Sequence, residues 1–324
     1  MKNLLGNAIA FPKVSVVIPT YNVRRYIADC LISVQRQSLK EFEAVIVDDG
    51  STDGTAEIVQ SWCQQDPRFK LLQKPNGGLS SARNHGIRHA RANYIALLDG
   101  DDAYEPDKLS THVAILDACA DVVVVYSASR AIRDDGRPTF VCLSGKPIYP
   151  DPLLALLCKN FIGHGSNAVF RRCIFDEVGE FNENLKSSED VDFWLRVAAS
   201  RRWRFYREPQ ILSLYRVHQS GLSFNVAQMQ HCNEQVIQAA KERSPKEVGP
   251  MLHTARAYLY RYLARLSLTA GNVTAARRFI NLALAENWSI FLRDPRSLLT
   301  LAAVFSAPIA KPIIRQALGY VKHN

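Results

Sequence analysis

The strongest constraint on this 324-residue chain is a unit that repeats along its N-terminal third: a short apolar run that stops abruptly at an acidic or glycine-rich loop. KVSVVIPTYN (13–22) is β-branched and closes on Pro-Thr-Tyr-Asn, and EAVIVDDGSTDGT (43–55) and NYIALLDGDD (93–102) follow the same plan. Runs of this kind read as strands buried on both faces. Between the first two, residues 23–38 carry Ile27, Leu31 and Val34 at helical spacing, and a second helix opens near Thr55. A further short strand is expected around Lys70–Gln73, ahead of the loop KPNGGLSSARNHG (74–86). This alternation predicts an α/β fold, a mixed and mostly parallel sheet flanked by helices. Ligands of such sheets sit outside the carboxyl ends of the strands, where three of these loops meet.

Past DVVVVYSA (121–128) the pattern mixes. NAVFRRCIF and RFYREPQILSLYRVH are strand-like, and SSEDVDFWLRVAAS between them looks like a helix start with Ser188 as N-cap. From about Asn225 no strand pattern remains. HTARAYLYRYLARLSLTAGNVTAARRFINLALAENW reads as two helices broken at Gly271, with a faint likeness to one tetratricopeptide hairpin through Gly271, Ala275 and Phe279. A single copy carries little, because such repeats stabilise by stacking. The expected division is a sheet domain over residues 1–223 and a helical subdomain over 224–324.

The formal charge of +9 belongs wholly to the second part: residues 1–240 hold 27 Lys and Arg against 27 Asp and Glu, residues 241–324 hold 13 against 4. Such a segment suits an anionic partner such as lipid headgroups, nucleic acid or an acidic glycan, a set of solvated helix faces being the plainer reading. No nucleic-acid-binding motif accompanies it, so nucleic acid is not an expected partner. In the tail, the longest uncharged run, Ser297 to Ala310, is 14 residues and too short to span a bilayer. It reads either as an interfacial helix with Lys311, Arg315 and Lys322 at headgroup level, or as a buried terminal helix. Seven cysteines without C-x-x-C spacing argue against a disulfide framework and a zinc site. The first residues lack the apolar stretch and cleavage site of a secretory signal. The expected location is therefore cytoplasmic, peripheral on the inner membrane's cytoplasmic face if the basic region meets lipid.

The chemistry concentrates in the loops. ALLDGDDAYEPD (96–107) places Asp99, Asp101 and Asp102 within four positions, which is repulsive unless something positive stands among them. If the chain stays extended past Leu98, Asp99 and Asp101 face one side, a hard oxygen pair suited to Mg²⁺ or Mn²⁺. An isolated D-x-D is also an ordinary loop. Asp48 and Asp49 end a buried run where a carboxylate can accept hydrogen bonds from a base or ribose, a helix-capping loop being the plainer reading. Gly77 and Gly78 let backbone approach a ligand, and Arg83 follows as a cationic fork for phosphate. Each loop alone is an unremarkable turn; three at the same ends of successive strands support one another.

VSVVIPTYN, VDDGSTDGT, GGLSSARNHGI, YIALLDGDDAYEPDKL, SEDVDFWLRV and YRVHQSGLS occur in an order and spacing that resemble family 2 glycosyltransferases of the GT-A fold, over about residues 13–223. The resemblance implies an inverting enzyme with a nucleotide-activated sugar donor, most often a UDP-sugar. By motif, Pro19, Thr20, Tyr21 and Asn22 border the nucleotide, Asp48 reads the uracil edge, and Asp49 and Gly78 belong to the same pocket. Arg83 approaches the nucleotide or diphosphate. Asp99 lies near ribose and metal, Asp101 is the principal metal ligand with Asp102 beside it, and His218 stands on the metal or diphosphate. The implied cofactor is Mn²⁺ or Mg²⁺, which stabilises charge on the leaving diphosphate. Asp190 matches the family's general base, needed because an acceptor hydroxyl is a poor nucleophile until a carboxylate takes its proton. Glu189 then positions the acceptor. Trp194 occupies a familiar place in the same helix and suits the core as well. Without the resemblance, Glu189 and Asp190 read as acidic residues favouring a helix's first turn.

One departure bears on the activity. Chain-building relatives often carry Q-x-x-R-W and membrane helices; here Arg202-Trp203 follows Ser200-Arg201, so processive synthesis is disfavoured. GHGSNAVFRR (163–172) lies where acceptor contacts are common. The implied reaction adds one sugar to a hydroxyl of a cell-surface glycan, such as a lipopolysaccharide or lipid-linked oligosaccharide precursor. A nucleotidyltransferase would want a glycine-rich loop where IPTYN stands, and a non-catalytic binding module would be expected to have lost the D-x-D or the base. Donor sugar, acceptor, linkage and oligomeric state stay open.

Overall fold

The apolar runs that end in loops form the middle of one sheet. In the structure, a computed structural model describing residues 11–143, 151–218 and 225–306, β1 (Val14–Thr20) and β2 (Phe42–Asp48) are buried at every position. Both faces of a parallel sheet are covered by its crossover helices, which is why these runs carry no polar alternation. β3 (Phe69–Gln73) joins β2 and β4 (Tyr94–Leu97) joins β1, all in parallel. The crossovers are α1 (Ile27–Gln35), α2 (Thr55–Gln65) and α3 (Leu79–His89). α1 is shorter than residues 23–38. Asn22 takes a left-handed φ of 52° and its Oδ1 accepts the Thr52 N–H, so the chain turns before the helix opens.

After β4 come β5 (Ala103–Tyr104), α4 (Lys108–Ala118), β6 (Val122–Ile132), β7 (Pro138–Cys142), α5 (Pro152–Cys158), β8 (Val169–Arg171), α6 (Cys173–Val178), α7 (Glu189–Ala199) and β9 (Arg204–Arg216). They complete a nine-stranded mixed sheet in the order β3-β2-β1-β4-β8-β6-β9-β5, with β7 on β6. β8 runs antiparallel to both β4 and β6, whereas β6 and β9 are parallel. The short β5 pairs Ala103 with Leu214 of β9, which brings the DGDD turn beside the end of β9 and hence beside Arg216 and His218.

α8 (Val226–Arg243), α9 (Pro245–Val248), α10 (Leu252–Thr269), α11 (Val273–Asn287), α12 (Ile290–Arg293) and α13 (Pro295–Ser306) follow, with no strand among the described residues after β9. α10 and α11 form the single hairpin expected: Gly271 takes φ 80° at the break, and Asn272 caps α11 by accepting the Ala275 N–H. Val236, Ile237, Leu259, Leu263 and Phe279 of these helices share one apolar core with Phe170, Phe193 and Trp194. A second core, including Ile18, Leu31, Ile46, Leu109 and Val125, lies between the sheet and α1 and α4. Among the described residues no helix is long and apolar enough to cross a membrane. Residues 1–10, residues 219–223 of the YRVHQSGLS motif, and Lys311, Arg315 and Lys322 lie outside the described residues.

Candidate active site

The carboxyl ends of β1 and β2 hold one open carboxylate edge. Asp48, the last residue of β2, is 2% exposed, and its Oδ1 has no hydrogen-bond partner while Oδ2 accepts a long bond from the Ser51 N–H. A buried acceptor without a donor is costly to leave so, unless a ligand supplies one. Thr20 beside it is buried and donates to the Val47 carbonyl, Pro19 is buried, and Tyr21 is exposed at the rim. Asn22 braces this loop against its neighbour: its N–H reaches Ser51 Oγ and its side chain holds Thr52. Asp49 faces inward. Lys74 Nζ at 2.6 Å and the N–H groups of Gly77 and Gly78 fill its carboxylate, so Asp49 and Gly78 shape the 74–78 loop for one another.

The DGDD segment corrects an expectation. Asp99 and Asp101 are not side by side on an extended chain: β4 ends at Leu97, and the Asp99 carbonyl accepts the Asp102 N–H in a tight turn. The turn sends the carboxylates to separate partners. Asp99 Oδ1 receives Arg83 Nη2 at 2.7 Å, Asp101 Oδ2 meets His218 Nε2 at 2.8 Å, and Asp102 is buried, accepting the Ser166 hydroxyl and the Arg216 N–H. Burial first, then the charges of Asp101 and Asp99, push the Asp102 carboxyl well above the usual range. The positive charges among these acids thus include the protein's own Arg83 and Arg216.

Arg83 joins the two sides of the site. Its guanidinium is 1% exposed and spans from Asp99 to Glu189 Oε1, which opens α7. The two carboxylates hold it firmly protonated against the opposing effect of burial. Asp190, next in α7, is buried and accepts the Val191 N–H. Burial, and then the Glu189 charge, raise its carboxyl to about 7, with Arg83 pulling the other way. Such a carboxyl is half ionised near neutral pH, the condition for an efficient base. Ser188 stands at the N-cap position of α7, as the sequence suggests, and its carbonyl accepts the Asp192 N–H, but its side chain makes no capping bond: the residue sits at φ 61° and its Oγ accepts Asn233 Nδ2 from α8. Trp194 is fully buried, edge-on to Phe170 and Phe193, and belongs to the core.

Three supporting residues escape sequence reading. Arg216 donates through Nε to the Asp101 carbonyl, through Nη1 to the Asp134 carbonyl and through Nη2 to Asp29, so it fixes the turn to α1 and sets the approach of His218. Its only sequence signal is its place in YRVH. Ser166 sits under the turn, accepting the Asp99 N–H and donating to Asp102, while Asn167 binds Lys108 Nζ and Ser127. GHGSNAVFRR is thus in part the floor of the site. At Gly165 a Cβ would stand 2.2 Å from Arg83 Nη2, so only glycine leaves room for the bridge.

Asp101 and His218 offer a carboxylate and an imidazole, donor types that Mn²⁺ accepts. Among the described residues no three His, Cys, Asp or Glu side chains gather into a cage, so a cation here would take further ligands from phosphate and water. Asp101 and His218 thus suit a divalent ion that would complete its shell from outside the protein.

The family described as Glycosyl transferase family 2 matches residues 15–179. The chondroitin synthase of Pasteurella multocida (strain Pm70) is 30% identical over 187 residues, covering 58% of this chain and 19% of the synthase, so the likeness spans about a fifth of that longer protein. Among solved structures, S. aureus TarS 1–349 in complex with UDP superposes with a TM-score of 0.54 at 21% identity, over 86% of this chain and 90% of the other. The mannosyltransferase PcManGT from Pyrobaculum calidifontis, in complex with GDP-Man and Mn²⁺, gives 0.61 at 23% identity, over 92% and 86%. At these identities the structures establish a shared fold.

Proposed function

The chain belongs to glycosyl transferase family 2 and has the GT-A fold, and from that premise we propose that it is an inverting transferase moving a sugar from a nucleoside diphosphate donor to a hydroxyl of a cell-surface glycan or lipid-linked oligosaccharide precursor. The observation that carries the reading is the Arg83 bridge. One guanidinium ties Asp99 on the donor-side turn to Glu189 at the start of α7, so Asp190 stands at a fixed offset from the donor. Asp190 takes the proton of the acceptor hydroxyl as it attacks C1 from the face opposite the diphosphate, which leaves in one displacement with inversion. Glu189, held by Arg83, orients the acceptor.

On the donor side, the unpartnered Asp48 Oδ1 suits the imide N–H of uracil, which favours a UDP-sugar. Asp101 and His218, which meet at 2.8 Å, would hold Mn²⁺ or Mg²⁺, and such an ion would neutralise charge on the departing diphosphate, while Asp99 holds Arg83. The solved structures support both parts: TarS is in complex with UDP, and PcManGT with GDP-Man and Mn²⁺.

The test is a panel of UDP-, GDP- and dTDP-sugars incubated with Mn²⁺ or Mg²⁺, scoring diphosphate release by wild type and Asp190→Asn, with thermal stabilisation by each nucleotide read in parallel. The proposal expects one donor to give metal-dependent stabilisation and release, and Asp190→Asn to keep the first while losing the second by about 10²–10⁴-fold. Binding without release in wild type under any acceptor mixture would favour a non-catalytic binding module instead.

A further inference from the structure

α13 is amphipathic in the wrong sense for a helix facing water. Its inward side carries Ser297 and Thr300 beside Val304, the two hydroxyls satisfied by Asp294 Oδ2 at 2.7 Å and the Arg296 carbonyl at 2.8 Å. Its outward side carries Leu298, Leu299, Ala302 and Phe305, at helical spacings of three and four. Trp288 and Leu292, on the segment leading into α13, are exposed as well, and the exposed large apolar residues run from 51% at Leu298 to 75% at Leu292. A water-facing helix puts its polar residues outward, and an apolar face of this size marks an interaction surface.

We infer that this face docks on an anionic bilayer surface. The charge at its edge, and in the sequence that follows it, selects that occupant. Between Asn287 and the C-terminus the sequence has five Lys and Arg (Arg293, Arg296, Lys311, Arg315, Lys322) and one carboxylate, Asp294. Asp294 is buried and held by Lys159 and Ser297, so it offers nothing outward. Arg293 and Arg296 are exposed at the edge of the apolar face. A second copy of the same face would set arginines against arginines, whereas acidic headgroups attract them and the leucines enter the acyl boundary. Trp288 has the ring that partitions to headgroup depth. With no membrane-crossing helix among the described residues, the contact is one of lying on the surface. It is independent of sugar transfer.

The full chain is mixed with phosphatidylcholine vesicles, with and without phosphatidylglycerol, and floated through a gradient. Wild type is expected to float with the acidic vesicles only. Leu298→Glu/Leu299→Glu should abolish flotation, and Arg293→Gln/Arg296→Gln should weaken it about fivefold per arginine, both keeping the wild-type melting temperature and the nucleotide-induced thermal shift. Wild type remaining in the lipid-free fraction overturns the inference, as does flotation of the double-Glu variant equal to wild type. A wild-type dimer by light scattering that the double-Glu change converts to monomer would assign the face to a second copy and overturn it too. If the double-Glu chain misfolds, the arginine pair decides by the same criterion.

Discussion

At the scale of single residues, the proposal rests on a carboxyl whose affinity for protons is set by its surroundings. Burial and Glu189 lift Asp190 from 3.8 to about 7, so kcat/KM is expected to climb with pH and level off above about 7, measured as diphosphate release across a buffer series. The same shift affects stability. The folded state holds this proton more tightly than the unfolded chain, so between about pH 4 and about pH 7 stability falls as pH rises, and the full penalty stands above that window. Asp190→Asn removes it. The variant should be more stable than wild type near pH 8, by at most about 4 kcal/mol, and equal to it at the acid end, by urea titration at both pH values. Gly165→Ala acts on Arg83 from outside the chemistry. Its methyl group needs the space of Arg83 Nη2, and displacing a buried guanidinium from Asp99 costs about 3 kcal/mol. A Gly165→Ala protein with wild-type stability and activity would show that the bridge tolerates displacement.

Individual elements explain why some motifs were legible and others not. The strands of the parallel half read directly, since residues buried on both faces leave only apolar runs, and that pattern puts Asp48 at a strand end. The D-x-D spacing suits an extended chain, but the Asp99 to Asp102 turn sends the two carboxylates to different partners, Arg83 and His218, and Ser166 and Arg216 hold that turn from distant segments. Ser188 fits the composition of an N-cap, and its bond with Asn233 couples the start of α7 to α8 instead. Asn233→Ala should therefore cost about 1 kcal/mol in chemical denaturation and lower kcat with little change in donor KM, because the group that moves lies on the acceptor side. An effect confined to donor KM would show that α8 supports the other half of the site.

For the molecule as a whole, the sheet and the C-terminal helices share one apolar core, since Ile237, Leu259, Leu263 and Phe279 pack in the cluster that holds Phe170, Phe193 and Trp194. Each such side chain contributes about 1.5–3 kcal/mol when buried. The division at residue 223 is thus proposed as one of architecture and not of stability: calorimetry should give a single transition, and a chain ending at Phe224 should be insoluble or lack a cooperative melt. Two separate transitions would make the helices an autonomous domain. The sequence by itself determined the fold class, the loops that gather at the strand ends and the residue types available there, because burial on both faces and turn chemistry are local properties written along the chain. Tertiary structure alone decided that Arg83 bridges Asp99 and Glu189, that Asp49 and Trp194 turn inward, and that α13 shows Leu298 and Leu299 to the outside. Those outcomes depend on which residues distant in sequence come within 3–4 Å of one another, and no local pattern carries that distance.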